Sequence, residues 1–527
     1  MASRFLHPLL FSLTLASTLS AYPAHSQTLR VTGAGDLSGL DPHSRNEAFS
    51  NRFLRQINEP LLLRDASLKL VPGLALSWSN PSAQAWRIKL RAGALFANGE
   101  AFQANDVVFS IQRAQHANSA LRHYAEGLGK VRAIDPLTVE FQTLKPNPVF
   151  LEQLALIPIM SEVWTKAKGC LAPANFKQKQ ETPCTTASNG TGAMKIAQWQ
   201  VGQQTRYERN AHWWGDWKLA KANVQSVLYR PAASSASRLA GLLGGDVDLI
   251  FDASPTEVVQ IEKQAQFQVL KAVENRTVFF GFNQKNSTPE PNPLASQQVR
   301  RALAQAIDHE GLQKKIYRGY SDPTYSMVMP RANGHLAEHE THPKYDEQQA
   351  KTLLTEAGFK NGFHVRLGCP SDRYPSDLAL CTAVAAMWTK LGLKVSLVSQ
   401  PKTAYFTNLD QLQKHFDVYL MSWGGSTTDA AFTLGPLAHT KGQLGQGADN
   451  YGAISNPLID QLLGKAESDM RAIERNKFLA DALTEHNRQV HHLAMNRQVL
   501  IWVANKTVQV PMRSDGMLDL SQISVTR

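Results

Sequence analysis

With 527 residues, 43% of them hydrophobic and 19% charged, the chain is too long for one core and is expected to form two or more lobes. Its composition excludes wholesale disorder, a collagen-like fibre and a small stapled scaffold. The formal charge of +11 raises the question of nucleic acid, but the basic runs at Lys166 and Lys168 and at Lys177 and Lys179 are isolated pairs. With no arginine-rich arm or aromatic RNA-binding box, no nucleic-acid partner is expected.

Arg4 precedes an apolar stretch over residues 9–19, and Ala24-His25-Ser26 offers a small-residue cleavage site; residues 1–26 are therefore read as a secretory signal peptide. The stretch is shorter than the ~20 residues of a bilayer span, and no cysteine follows it to take a lipid anchor. The mature chain is expected to be soluble and periplasmic. Strands then alternate with helices, as in an α/β protein. The spacing predicts a strand at residues 29–32, ending in Gly33-Ala34-Gly35, and a helix over 49–63. Residues 85–91 alternate apolar and polar as a half-buried strand does, and Asn105-Asp106 is placed to cap a helix through Val107, Val108, Ile111 and Ala114. A βαβ unit follows, with strands at 227–229 and 247–250 and a helix carrying Leu239, Leu242 and Leu243. A strand at 277–283 leads into a Pro-rich stretch at 289–293, read as the boundary between lobes, and 297–307 is helical. A second α/β unit has strands at 363–367, 395–398 and 416–421 and a helix at 377–391. The last strand, 499–503, is far enough from the first lobe in sequence to cross back to it.

Four cysteines, an even number, fit a compartment that permits disulfides. Their spacing suggests Cys170 with Cys184 and Cys369 with Cys381, although three connectivities and free thiols stay open. Neither pair has the spacing of a zinc or redox site.

Catalytic motifs fail on spacing: Gly33-Ala34-Gly35 with Gly39 misses the dinucleotide fingerprint, and no phosphate-binding loop or nucleophile elbow occurs. Asp246 and Asp248 are close acids but share one face of a strand, which makes a polar edge, and no enzyme activity is expected. His335, His339 and His342, with Glu338 and Glu340 between them, offer imidazoles to a metal; a polar surface loop is the simpler reading, and neither metal nor cofactor is expected. The run from Phe416 to Asp429 stands out instead. A buried strand enters a Gly-rich loop with an aromatic plate, Trp423, hydroxyls and a carboxylate, and such loops face ligand clefts in two-lobed α/β proteins. Taken alone, Trp423 serves equally as a core residue and Asp429 as a helix cap.

The chain resembles the bacterial extracellular solute-binding proteins of family 5, the peptide- and nickel-type receptors of ATP-driven importers. The resemblance covers essentially the whole mature chain. It rests on Leu40-Asp41-Pro42-His43; Leu70-Val71-Pro72-Gly73-Leu74-Ala75 with Trp78; Leu90-Arg91-Ala92-Gly93 through Asn98-Gly99 and Asp106 to Ile111; Tyr207-Glu208-Arg209-Asn210 with Trp214-Gly215; Gly245-Asp246-Val247-Asp248; Val299 to Leu303 with Asp308; Asp372-Arg373-Tyr374-Pro375; and the Trp423 loop. It implies a two-lobed clamshell of the large type II form, with an extra subdomain in the first lobe. The expected division is 27–65, 193–285 and 500–527 for lobe I, 66–192 for the subdomain and 286–499 for lobe II. The family implies a monomer that binds a short peptide or other small molecule without chemistry and delivers it to an inner-membrane ABC permease.

Arg373 matches a position that engages a ligand carboxylate in dipeptide-type relatives, and a guanidinium is shaped for that role. Tyr374 and Trp423 match pocket aromatics. The departure is Ser426, where the family's peptide receptors carry an aspartate for the ligand ammonium group. Asp429 matches a second acidic position and is expected to substitute; otherwise the ligand need have no free amine. Asp36 and Leu40, at the mouth of the first strand, complete the candidates. Non-peptide solutes (a metal chelate, a glycoside, another amphipathic ligand) and a chemosensory or murein-recycling receptor of the same fold are the alternatives.

Overall fold

In the computed structural model of the chain, residues 28–218, 220, 222–286, 291–424, 427–443 and 445–526 are described. The expected signal peptide and Ser426 lie outside them. The strand Thr28–Gly33 is the centre of lobe I, flanked in parallel by Ser226–Pro231 and Leu249–Ile250. Helix Ser235–Leu243, capped by the Ser234 side chain, connects the two flanking strands. Gln204–Arg209 and Met194–Gln200 extend the sheet antiparallel.

Two long strands, Phe267–Phe282 and His492–Asn505, run antiparallel through the molecule. At ~3.3 Å per residue, the 16 residues of the first reach ~50 Å, enough to serve both lobes. Its first half pairs with residues 499–505 and its second half with 492–497, with a register break between Val273 and Thr277. Strand Val418–Gly424 joins only the second half, over Arg276–Phe282. The crossing between lobes therefore lies at Glu274–Arg276, ahead of residue 286, where the Pro-rich stretch had suggested it. Its described part enters a 3-10 turn, Pro293–Ala295, whose buried Leu294 packs in the lobe II core.

Lobe II continues with His364–Pro370 and Lys394–Gln400, parallel to each other. Helix Asp377–Lys390 covers them, and its fully buried Trp388 donates its indole N–H to the Leu303 carbonyl at 3.0 Å. The extra subdomain is an antiparallel sheet in the order Ala75–Ser82, Ala85–Leu90, Thr138–Gln142, Lys130–Asp135. Trp86, Ile88 and Leu90 point into its core, as the period-two pattern requires, and Trp86 stacks on Phe150 at 4.7 Å.

The Leu40-Asp41-Pro42-His43 motif ties the subdomain to lobe I. The Arg113 guanidinium donates to both Asp41 oxygens at 2.9 and 2.6 Å, each side chain being 1% exposed, and a His43 ring nitrogen meets the Pro158 carbonyl at 2.8 Å. The structure pairs Cys170 with Cys184 and Cys369 with Cys381, with Cα separations of 6.0 and 6.4 Å.

Three local expectations differ. The helix at 49–63 is only Ala48–Leu54, because Pro60 disfavours helix in the residue before it and Leu62–Arg64 pairs as a strand with Leu70–Pro72. The helix expected to be capped by Asn105-Asp106 begins at Ala104, and the Asp106 carboxylate instead accepts the Gln103 amide at 2.8 Å. The His335–His342 segment is a surface loop only in part: Leu336, Ala337, Glu338 and Thr341 are exposed, but His339 is 3% exposed, the His335 ring meets Glu340 at 2.7 Å, and Glu340 pairs with Arg497 on the second long strand.

Several histidines are buried among apolar groups. Desolvation holds His43 and His486 down to about 4, His309 to about 3 and His491 to about 2. Below pH ~6.5 the unfolded chain binds protons at these sites that the native chain refuses, so stability falls with pH. Burial raises Glu59 to about 7 and Asp106 to about 6, which acts in the opposite direction, stabilising the fold as pH falls through that window. The four histidines outnumber the two acids, and the melting temperature at pH 5 is expected to lie below that at pH 7. A rise on acidification would show that the two carboxyls dominate.

Candidate functional site

The lobes enclose a cavity of about 500 Å³. Lobe I supplies Arg55, Gln56 and Glu59, just beyond the first helix, and the subdomain supplies Tyr124, Leu156 and Pro158. The crossing contributes Glu274, Asn275 and Arg276; lobe II contributes Arg373, Tyr374, Phe406, Ser422 and Trp423; the C-terminal segment closes the wall from Arg513 to Ser521. The lobes also touch beyond the cavity, where Tyr124 meets Phe432 at 6.2 Å between ring centres and Lys145 pairs with Glu467 at 2.8 Å. Arg373 and Tyr374 face a second opening as well, of about 660 Å³, lined by Asp252, Lys315 and Arg318 among others.

Arg373 and Tyr374 sit in the loop between strand His364–Pro370 and helix Asp377–Lys390. One oxygen of the buried Asp377 carboxylate accepts both their backbone amides, at 2.9 and 3.1 Å. The Tyr374 hydroxyl accepts from the Ser422 amide at 3.1 Å, which leaves its own proton to donate. Trp423, next to last in its strand, is half-buried, its indole N–H donating to the Phe432 carbonyl at 3.2 Å. The sheet end of lobe II thus brings Arg373, Tyr374 and Trp423 to one wall.

The remaining candidates lie elsewhere. Asp429 is 3% exposed and spent on lobe II packing: Arg475 donates to its two oxygens at 2.5 and 2.9 Å, and Asn333 donates to one of them at 3.1 Å. A carboxylate so engaged is already neutralised and lines neither cavity. Asp36 accepts the Leu37 and Gly202 amides at 2.8 and 2.7 Å, and Leu40, 1% exposed, belongs to the lobe I core; neither lines the cavity.

Most cavity charges are internally paired: Arg64 with Glu152, Arg276 with Glu274 at 3.1 Å, and Arg513 with Asp515 at 2.6 Å. Among the described residues no carboxylate forms an ion pair with Arg55 or Arg373. The Arg55 guanidinium donates to the Ala155 carbonyl at 3.0 Å, and burial pulls its pKa down to about 10. The Glu59 carboxylate receives Trp214 at 2.7 Å, Thr191 at 3.0 Å and Trp213 at 3.3 Å, all neutral donors, and desolvation pushes it up to about 7. Asp519 adds a second acid to that wall. Sequence reading missed Arg55 and Glu59, which fell inside the overlong helix, and the C-terminal segment, which carries no motif. Among the described residues no three metal-ligating side chains stand close enough to hold an ion, and no helix is long and apolar enough to cross a membrane.

Residues 69–445 match the family model for bacterial extracellular solute-binding proteins, family 5. The chain is 25% identical over 520 residues to the periplasmic oligopeptide-binding protein OppA of Salmonella typhimurium, covering 93% of this chain and 91% of that one. It is 25% identical over 466 residues to the glutathione-binding protein GsiB of Escherichia coli K12, covering 87% and 86%. In fold it matches the periplasmic binding protein DppA of Helicobacter pylori, solved in complex with the peptide STSA, with a TM-score of 0.77 at 21% identity over 95% of this chain and 98% of that one.

Proposed function

The chain belongs to the bacterial extracellular solute-binding proteins of family 5, and we propose that it is the periplasmic receptor of an ABC importer, holding a short peptide or peptide-like solute between its lobes for an inner-membrane permease. Members of the family bind solutes rather than transform them. The observation that carries the ligand reading is the wall formed by Arg373, Tyr374 and Trp423, where a guanidinium without a carboxylate partner among the described residues faces the interlobe cavity. An extended peptide would place its C-terminal carboxylate there, and lobe closure around the crossing at Glu274–Arg276 would remove it from water, where such a charge-assisted pair is strongest. The names of the curated relatives, an oligopeptide receptor and a glutathione receptor, support this class.

The ligand's cationic end is the open half of the reading. With Asp429 committed to Arg475, the wall acids not paired with an arginine are Glu59 and Asp519, and a ligand ammonium would have to meet them. A second reading, favoured by Arg55 and Arg373 both lacking a carboxylate partner, is an anionic solute with no free amine. Native mass spectrometry of protein taken from its own periplasm, followed by denaturation and identification of what co-purifies, separates the two. A mixture of short peptides is expected; a single anionic non-peptide species would overturn the peptide reading in favour of the second.

A further inference from the structure

Cys369 is the second-last residue of strand His364–Pro370, and Cys381 sits in the second turn of helix Asp377–Lys390; both are 0% exposed. Their bridge spans a sequence separation of 12 and brackets the loop that carries Arg373 and Tyr374. Exposed strand-to-helix loops are ordinarily among the least stable parts of a fold, and Asp372 and Arg373 are exposed. This loop is nevertheless tied at every step. The Ser371 amide donates to the Gln400 carbonyl at 2.9 Å, the Asp372 carboxylate accepts the Lys402 amide at 2.7 Å, and Asp377 receives the two amides already described. Ser376 has φ +61°, a left-handed conformation that a non-glycine residue keeps only where its surroundings impose it. By contrast, the other bridge, Cys170–Cys184, brackets residues that line neither cavity.

We propose that the Cys369–Cys381 bridge, acting with the Asp377 carboxylate, positions Arg373 and Tyr374 for the ligand, so that affinity for a ligand carboxylate depends on this bridge being closed. The inference rests on the peptide reading above. Its physical basis is that a cross-link restricts the conformations of the segment it closes, and a guanidinium at the end of a long side chain magnifies any shift of the backbone that carries it. Neither cysteine touches the ligand; they act through the loop.

The test compares wild type, C369A/C381A and the control C170A/C184A by two readouts. In the ligand-free proteins, hydrogen exchange of the Arg373 and Tyr374 amides should quicken at least tenfold in C369A/C381A alone. Affinity for a pool of tri- and tetrapeptides with free carboxylates should fall at least tenfold in that variant, while affinity for the same pool amidated at the C-terminus stays unchanged. In an R373A background, removing the bridge should cost no further affinity. The control should lower the melting temperature and move neither readout. Unchanged exchange, or an equal loss for both pools, overturns the positioning role. Should C369A/C381A fail to fold, D377A, which keeps the bridge and removes the oxygen receiving both amides, must give the same carboxylate-selective loss or the proposal falls. A wild type that retains neither pool overturns the peptide reading, and the affinity claim with it.

Discussion

Replacing Arg373 with alanine is expected to weaken binding of peptides with a free C-terminal carboxylate by about 10- to 100-fold, while their amides bind as before. A charge-assisted hydrogen-bonded pair contributes ~1.5–3 kcal/mol, and each ~1.4 kcal/mol is a factor of ten in affinity. The side chain is exposed at the cavity wall and shares no ion pair among the described residues. Its loss should therefore change stability by no more than ~0.5 kcal/mol. Calorimetric titration and thermal melts on one preparation read both quantities. A large fall in melting temperature with affinity intact would make Arg373 a structural residue. Arg373→Lys should recover only part of the affinity, since a compact ammonium cannot reproduce the two-pronged geometry.

Arg475→Ala is expected to have the largest effect on stability. Asp429 and Arg475 are 3% and 5% exposed and joined by two hydrogen bonds. Removing one partner leaves the other charge buried and unpaired, at a cost of about 3–5 kcal/mol. Denaturant titration should show that loss, with peptide selectivity retained in whatever protein remains folded. Asp429→Asn should likewise lower stability and leave discrimination between free and blocked N-termini intact. If Asp429→Asn instead abolished that discrimination without changing stability, the carboxylate would be acting on the ligand.

The alternation in Ala85–Leu90 and the βαβ spacing around Ser235–Leu243 were legible because side-chain period and burial are local properties. So were the strand and the helix at the two ends of the Arg373 loop. The lobe crossing was not legible. A Pro-rich stretch announces a loop, but where a sheet changes partners depends on which strand each half of Phe267–Phe282 meets, and those partners come from Val418–Gly424 and His492–Asn505. The candidate site divided in the same way.

Taken alone, the sequence determined the α/β class, the family, and the short segment Asp372-Arg373-Tyr374-Pro375 together with Trp423 near the end of another strand. Each is a matter of pattern or of residues adjacent along the chain. Only the tertiary structure decided which charges remain available to a ligand. Asp429 and Arg475, or Arg64 and Glu152 beside the wall that holds Arg55 and Glu59, meet through packing between segments far apart in sequence. An aspartate is a ligand contact or a core ion pair according to the cation that folding sets beside it, because a buried charge must find its partner within a few ångströms.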